Sequence, residues 1–246
     1  MRVAIFADVH GNADALTTVL AEIDTVKPDL ICNLGDVFSG PLDPAGVARI
    51  LLARPEIHTV CGNHDRYLIT MDPADMGPTD QVTFDALDAV AFDWIRALPE
   101  QLVLDDLFLC HATPQDDNTY WLETVTPAGE VTPRLMPDIA VRATGIAQPV
   151  ILCGHTHLPR LVHLPTGQMI LNPGSVGCPA YDDDLPVPHV VENGTPHASW
   201  AMLDLTAAPK VTFHRTPYDT SRMAAAAQGY GRPSWANAVS TGWLHN

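Results

Sequence analysis

Short apolar runs alternate with amphipathic stretches through the first two-thirds of the chain. The apolar runs predict buried strands at 2–7, 29–34, 57–61, 107–110 and 150–153. Stretches with apolar residues every three or four positions predict helices at 12–26, 45–53, 84–98 and 139–144. The β-α-β-α-β order at the start predicts a parallel sheet with right-handed crossovers.

The last third of the chain has shorter connections. Runs at 160–163, 169–172, 200–205 and 210–215 predict antiparallel strands. A long polar loop is expected at 178–198, where Asp182-Asp183-Asp184 is typical of a solvated loop rather than a metal site. Residues 71–80 look irregular, and 220–245 predict two short helices. We find no linker and no repeat, and interpret residues 1–246 as one domain, with 178–198 as an insertion loop and 220–246 as C-terminal helices.

Each of the five buried runs ends in polar residues that can bind a metal. The motifs are Asp8-Val9-His10, Gly35-Asp36, Gly62-Asn63-His64-Asp65, His111-Ala112 and Gly154-His155-Thr156-His157. Any one of them could be an ordinary turn. Side chains two positions apart share one side of a strand, so the first and last motifs each present two metal-binding groups together. Open α/β sheets bind ligands at the carboxyl ends of their strands, and five such motifs therefore predict one common site.

Together the motifs supply two carboxylates, one amide oxygen and four imidazoles, from Asp8, His10, Asp36, Asn63, His111, His155 and His157. With one bridging carboxylate, each of two metal ions would receive four protein ligands. Mixed nitrogen and oxygen ligands favour Mn, Fe, Zn, Co or Ni over Mg or Ca. The five cysteines lack C-x-x-C spacing, and we interpret them as buried hydrophobes rather than zinc thiolates.

The net charge of the chain limits the classes of partner that it can bind. The 246 residues carry a formal net charge of −16, and a protein this acidic repels the phosphate backbone of nucleic acids. A small phosphorylated substrate held by cations is compatible with this charge, and so is a homo-oligomer.

The apolar stretch 3–7 is too short for a signal peptide, and no run approaches a membrane span. We therefore expect a cytoplasmic protein with no membrane partner.

The order of the five motifs resembles that of the calcineurin-like metallophosphoesterases. The likeness covers residues 3–177 and includes the turn Asn172-Pro173-Gly174-Ser175 after the last motif. It is closer to the small bacterial and archaeal phosphodiesterase-like members, because Gly35-Asp36 leads to Gly40-Pro41-Leu42-Asp43-Pro44. The resemblance implies an α/β fold, a four-layered sandwich of two mixed β-sheets flanked by helices.

The resemblance also implies a role for each candidate residue. A first metal ion would be held by Asp8, His10 and His157, and a second by Asn63, His111 and His155. Asp36 would bridge the two ions. His64 would hydrogen-bond a phosphate oxygen and assist the leaving group.

We hypothesise from these residues a dinuclear-metal-dependent hydrolase of phosphate esters, a phosphodiesterase or phosphatase that acts on a small substrate. A metal-bound hydroxide would attack without a covalent enzyme intermediate, with His64 as the proton donor. The protein serine/threonine phosphatases of the superfamily carry an aspartate three positions after Gly-Asp, where this chain has Ser39. The carboxylate partner of His64 is thus missing from that position, which disfavours protein phosphatase activity.

Two alternatives remain, a non-catalytic metal-binding scaffold for protein contacts and a nuclease. The presence of His64 argues against a scaffold, and the acidic charge argues against a nuclease.

Overall fold

The computed structural model describes residues 1–245, which form fourteen β-strands and eight α-helices. The strands are β1 Arg2–Phe6, β2 Leu30–Asn33, β3 Ile57–Thr59, β4 Gln101–Leu104, β5 Leu107–Cys110, β6 Glu123–Val125, β7 Val131–Pro133, β8 Val150–Leu152, β9 Arg160–His163, β10 Met169–Asn172, β11 Ala180–Asp183, β12 His189–Glu192, β13 Ala198–Asp204 and β14 Lys210–Thr216. The helices are α1 Ala13–Val26, α2 Pro44–Leu52, α3 Asn63–Thr70, α4 Pro78–Ala86, α5 Ala89–Ala97, α6 Met136–Arg142, α7 Ser221–Gly229 and α8 Pro233–Thr241. Residue 246, the end of the predicted C-terminal segment, lies outside the described residues.

Two five-stranded mixed sheets form the centre of the fold. The first sheet has the order β14-β13-β1-β2-β3, and the second has the order β4-β5-β8-β10-β9. Strands β1, β2 and β3 run parallel, as do β5, β8 and β10. Antiparallel strands complete both sheets, β13 and β14 in the first, β4 and β9 in the second. The parallel strands are the ones that carry the predicted site motifs.

Three apolar layers hold the sandwich together. The layer between the sheets takes alternate side chains from both, such as Ile5 and Cys32 from the first and Leu109 and Leu152 from the second. The outer face of the first sheet packs against α1, α2 and α5. The outer face of the second sheet packs against α6 and Trp121. The predicted four-layered α/β sandwich of two mixed sheets flanked by helices is therefore confirmed.

Several local predictions differ from the structure. The prediction of a single helix over 84–98 is wrong, because α4 ends at Ala86 and a new helix, α5, follows. Asp88 caps the start of α5 by accepting a hydrogen bond from the backbone N–H of Ala91. The segment 71–80, expected to be irregular, includes the start of α4. The long loop expected at 178–198 contains a hairpin, β11 paired with β12. Strands β4, β6 and β7 had no clear sequence signal, and two of them have only three residues.

The C-terminal segment contains the two expected short helices, α7 and α8. Among all the helices described for residues 1–245, the longest has 14 residues, and none is long and apolar enough to cross a membrane.

Candidate metal centre

The predicted ligands follow the ends of β1, β2, β3, β5 and β8 and lie in two groups. In each group, one nitrogen or oxygen atom of every member lies within 4.8 Å of the others. The first group is Asp8, His10 and His157, and the second is Asp36, His111 and His155. Asn63 lies beside the second group, with its Oδ1 3.0 Å from His111 Nε2. The structure thus brings all seven predicted ligands together from both sheets, and their binding of metal stays a prediction.

The backbone at this site is unusual. In residues 1–245, seven non-glycine residues have a positive φ, and five of them are predicted ligands: Asp8 (55°), His10 (48°), Asp36 (52°), His155 (70°) and His157 (58°). This left-handed conformation costs about 1–2 kcal/mol for each such residue. Hydrogen bonds between the motifs hold it, since the Asp8 and His10 N–H groups donate to the carbonyls of Gly35 and Asp36, both at 3.0 Å.

Each of the four imidazoles donates one ring N–H to a backbone carbonyl. The pairs are His10 Nδ1 to Ser39 at 2.6 Å, His111 Nδ1 to Leu34 at 2.7 Å, His157 Nδ1 to Cys178 at 2.7 Å and His155 Nε2 to Asn118 at 2.8 Å. A carbonyl oxygen only accepts, so the ring nitrogen that faces it carries the hydrogen. In the neutral ring, the other nitrogen then has a free lone pair. Ligating histidines are oriented by backbone carbonyls in this way.

The nitrogens with free lone pairs lie close together. His10 Nε2 is 3.1 Å from His157 Nε2, although the outer hydrogen bond of each ring leaves both atoms without a hydrogen in the neutral state. Two such lone pairs repel each other unless a proton or a cation lies between them. This donor set therefore fits a metal ion.

Asp36 lies between the two groups. Its Oδ2 is 3.7 Å from His10 Nε2 and 3.3 Å from His111 Nε2, while its Oδ1 accepts the His64 backbone N–H at 2.9 Å. Gly62 allows this position, because a Cβ at that residue would overlap both Oδ1 and the backbone nitrogen of Asp36. One carboxylate thus reaches a ligand of each group.

Burial and mutual charge shift the ionisation of these residues. Burial lowers the pKa of His10 and of His155 to about 4, which keeps both rings neutral near pH 7. Burial also lowers the pKa of His111, but the carboxylates of Asp36 and Asp8 raise it more, to about 10. Burial raises the pKa of Asp8 well above its ordinary value. The positive charge of a bound cation would favour the ionised carboxylates and the neutral imidazoles.

His64 has a carboxylate partner that the sequence did not reveal. Its Nδ1 lies 2.9 Å from Oδ1 of Asp80, which is buried at the start of α4. The Ser39 hydroxyl also donates to Asp80 Oδ1, and the Ser39 carbonyl accepts from His10. Burial lowers the pKa of His64, but the carboxylates of Asp36 and Asp80 raise it more, to about 9. The position three residues after Gly35-Asp36 therefore carries Ser39, which hydrogen-bonds to the carboxylate partner of His64.

Helix α4 is tied to the loop after β2 by a second residue, one turn further along. Thr83 Oγ1 accepts the Gly40 N–H at 3.1 Å and lies 3.3 Å from the carbonyl of Phe38. These contacts fix Asp80 relative to Ser39 and His64. The sequence signal for this helix is the Gly77-Pro78 pair, since proline is favoured at the first position of a helix.

The last residue of the Gly62-Asn63-His64-Asp65 motif has a structural role. Asp65 is buried, and its two carboxylate oxygens accept the backbone N–H groups of Val37 and Gly62, each at 3.0 Å. This carboxylate joins the second motif to the third and begins α3.

The two groups open onto a cavity of about 910 Å³. His10, Asp36, Asn63, His64, His155 and His157 form part of its wall. Side chains from the β11–β12 hairpin and from α8 form other parts. The cavity is therefore larger than the metal ligands alone require.

The two-sheet α/β sandwich thus gathers carboxylate and imidazole groups that could hold metal ions at the ends of its strands. The sequence model of the calcineurin-like phosphoesterase superfamily domain matches residues 1–191. The chain belongs to this superfamily. The resemblance indicated by the motifs is thus confirmed.

Solved structures and a curated enzyme are similar to the chain. A metallophosphoesterase from Sphaerobacter thermophilus is 25% identical with a TM-score of 0.73, over 98% of this chain and all of that one. A hypothetical protein from Pyrococcus horikoshii OT3 is 18% identical, with a TM-score of 0.73 over 98% of both chains, and shows the fold alone.

The curated enzyme is a symmetrical bis(5'-nucleosyl)-tetraphosphatase from Yersinia enterocolitica. It is 31% identical over an alignment of 128 positions, and the match covers 48% of this chain. The match spans 44% of that enzyme's length.

Proposed function

We propose that the protein hydrolyses small phosphate esters with two divalent transition-metal ions. In this proposal Asp8, His10 and His157 hold one ion, Asn63, His111 and His155 hold the other, and Asp36 contacts both. The observation that carries it is the hydrogen bonding of the four imidazoles, each of which donates one N–H to a backbone carbonyl. In the neutral form of each ring, the other nitrogen then has a lone pair that can bind a metal ion.

The ligand chemistry supports transition metals. Nitrogen and oxygen donors without thiolate suit Mn, Fe, Zn, Co or Ni, and manganese is the metal we would test first. Two divalent cations supply Lewis acidity toward phosphoryl oxygens and lower the pKa of nearby water. The protein's own contribution is to hold the ligands in fixed tautomers and to exclude bulk water from a largely buried site.

His64 is the proton donor in this proposal. In the protonated ring, Nδ1–H donates a hydrogen bond to the Asp80 carboxylate. The proton on Nε2 is therefore the one that can be transferred to a leaving-group oxygen. A raised pKa keeps the ring protonated at neutral pH, and the positive charge of bound cations would lower that pKa toward the working range.

The substrate is a small phosphorylated molecule rather than a polymer in this proposal. The Yersinia enterocolitica relative is named for a dinucleoside tetraphosphate, which makes such compounds the first substrates to test. Asp182 and Asp183 line the cavity, and their charge disfavours a nucleic-acid strand. The working compartment we propose is the cytoplasm.

Metal analysis combined with a substrate panel tests this function. The protein is stripped with a chelator, reloaded with Mn²⁺, and assayed on p-nitrophenyl phosphate, bis-p-nitrophenyl phosphate and diadenosine tetraphosphate. We expect two ions per chain and turnover only after reloading. The Asp36→Asn variant should lose the bound ions and the turnover. The Asp106→Asn variant, an exposed control, should keep the ions and the turnover. Turnover in the stripped protein, or no turnover of any ester after reloading, would refute the proposal.

A further inference from the structure

The wall of the metal cavity carries two arginines that the metal centre does not explain. Arg134 follows β7, and Arg232 precedes α8, so they reach the same cavity from distant parts of the chain. Five other arginines pair with carboxylates, namely Arg54, Arg66, Arg96, Arg160 and Arg222. Within residues 1–245, no carboxylate oxygen lies within 4.0 Å of the guanidinium of Arg134 or of Arg232. Among the described residues, four more arginines lack a carboxylate partner, namely Arg2, Arg49, Arg142 and Arg215, but they do not line this cavity. Arg134 and Arg232 thus place two cationic groups without a carboxylate partner in its wall, where they can bind an anionic ligand.

Arg134 is positioned before any ligand binds. Its Nη2 donates to the carbonyl of Tyr120 at 2.8 Å, and its buried Nε has no acceptor among the described residues. The Tyr120 hydroxyl in turn is 2.6 Å from the Tyr181 hydroxyl and 2.9 Å from His189 Nε2. The guanidinium is therefore anchored through Nη2, and Nη1 can donate a charge-assisted hydrogen bond to a phosphoryl group.

Arg232 is placed by helix α8, next to the metal centre. It is the residue before the helix, and its carbonyl accepts the Ala236 N–H at 3.1 Å. Trp235, in the first turn, has its ring 6.0 Å from the ring of His10. Helix α8 lies outside residues 1–191, which match the superfamily model.

The rest of the cavity wall suggests what accompanies the anion. Tyr67, Tyr120, Tyr181 and Trp235 offer aromatic faces, on which a planar base can stack. Asp182 and Asp183 can accept hydrogen bonds from hydroxyl or amino groups. A cavity of about 910 Å³ holds a molecule much larger than one phosphoryl group.

We propose that Arg134 and Arg232 form a second anion site, which binds a phosphoryl group of the substrate other than the one that is cut. The substrate class is a nucleoside polyphosphate, with one phosphoryl group at the metal ligands, another at the arginines and the base against the aromatic wall. This inference rests on the proposed function for the identity of the catalytic end of the cavity.

Calorimetric binding to the Mn²⁺-loaded protein tests the second site without turnover. The probe is α,β-methylene-ADP, which has two phosphoryl groups, and AMP is the probe with one. In the double variant Arg134→Gln/Arg232→Gln, we expect the Kd of α,β-methylene-ADP to rise at least about tenfold more than the Kd of AMP, because charge-assisted hydrogen bonds are lost. Arg134→Lys and Arg232→Lys keep the positive charge but lack the planar set of guanidinium donors. Their Kd for α,β-methylene-ADP should therefore lie between the values for the wild-type protein and the double variant.

Arg96→Gln is the matched control, since Arg96 is an exposed arginine of α5 that pairs with Asp93 and does not line the cavity. Equal weakening for the two probes, or less than about a twofold effect of the double variant, would overturn the second site. Metal-dependent hydrolysis of p-nitrophenyl phosphate by the wild-type protein is measured separately and decides on the proposed function alone.

Discussion

His64 Nδ1 lies 2.9 Å from Asp80 Oδ1, and the two residues come from different helices, α3 and α4. The contact supplies the carboxylate partner that is missing from the position three after Gly-Asp. Ser39, which occupies that position, binds Asp80 through its hydroxyl. The chain thus reaches a histidine–carboxylate pair by packing a later helix onto the loop that follows β2.

We expect Asp80→Asn to lower kcat about 10- to 100-fold with little change in KM, because the amide no longer orients and charges the His64 ring. Metal content should stay the same, since Asp80 belongs to neither ligand group. The Asp80 carboxylate raises the pKa of His64, so its loss lowers that pKa. The protonated donor then disappears at lower pH, and the alkaline limb of the kcat profile should move toward lower pH.

The control for this variant is Asp75→Asn, an exposed aspartate five positions earlier. If Asp80→Asn leaves both kcat and the pH profile like those of Asp75→Asn, Asp80 does not position His64.

We expect His64→Ala to keep both metal ions and to lose turnover by about 10²- to 10⁴-fold, the range for removal of a positioned general acid. The loss should be greater for phenyl phosphate than for p-nitrophenyl phosphate, whose leaving group needs less protonation. His163→Ala, an exposed histidine of β9, is the control. Unchanged turnover with full metal content would show that His64 has another role.

The sequence predicted the parts of the fold and site that depend on local patterns. Buried strands followed by Asp, His or Asn appear as short apolar runs with polar ends, so all seven candidate ligands could be named from residues alone. Asp80 could not be named, because its neighbours Gly77 and Pro78 are typical of a turn and its contact with Ser39 spans 41 positions. Arg134 and Arg232 could not be assigned to the cavity, since only the packing of β7 and α8 brings them there. The left-handed backbone at Asp8 and His10 likewise has no signal in residue type.

We expect the affinity for Mn²⁺ to rise with pH. In the metal-free protein, the carboxylates of Asp36 and Asp8 outweigh burial and raise the pKa of His111 to about 10, so this ring is protonated at neutral pH. Burial raises the pKa of Asp8 as well. Both groups must lose a proton before they can bind a metal ion. For each proton released on binding, the affinity for Mn²⁺ should rise about tenfold for each unit of pH increase. Calorimetry in buffers of different ionisation enthalpy counts these protons, and an affinity that is constant between about pH 6 and pH 8 would contradict the prediction.

Gly62→Ala tests whether the close packing of the second and third motifs holds the site. The added Cβ would overlap the Oδ1 and the backbone nitrogen of Asp36, so rotation of the Asp36 side chain alone could not relieve the contact. We expect a loss of about 1–3 kcal/mol in the free energy of unfolding, measured in urea, together with reduced metal content. Gly77→Ala is the matched control, because Gly77 also precedes a helix and a Cβ there meets no atom within 4 Å among the described residues. Its effect should stay within about 0.5 kcal/mol. Equal stability and equal metal content in the two variants would mean that Asp36 does not depend on the space that Gly62 leaves.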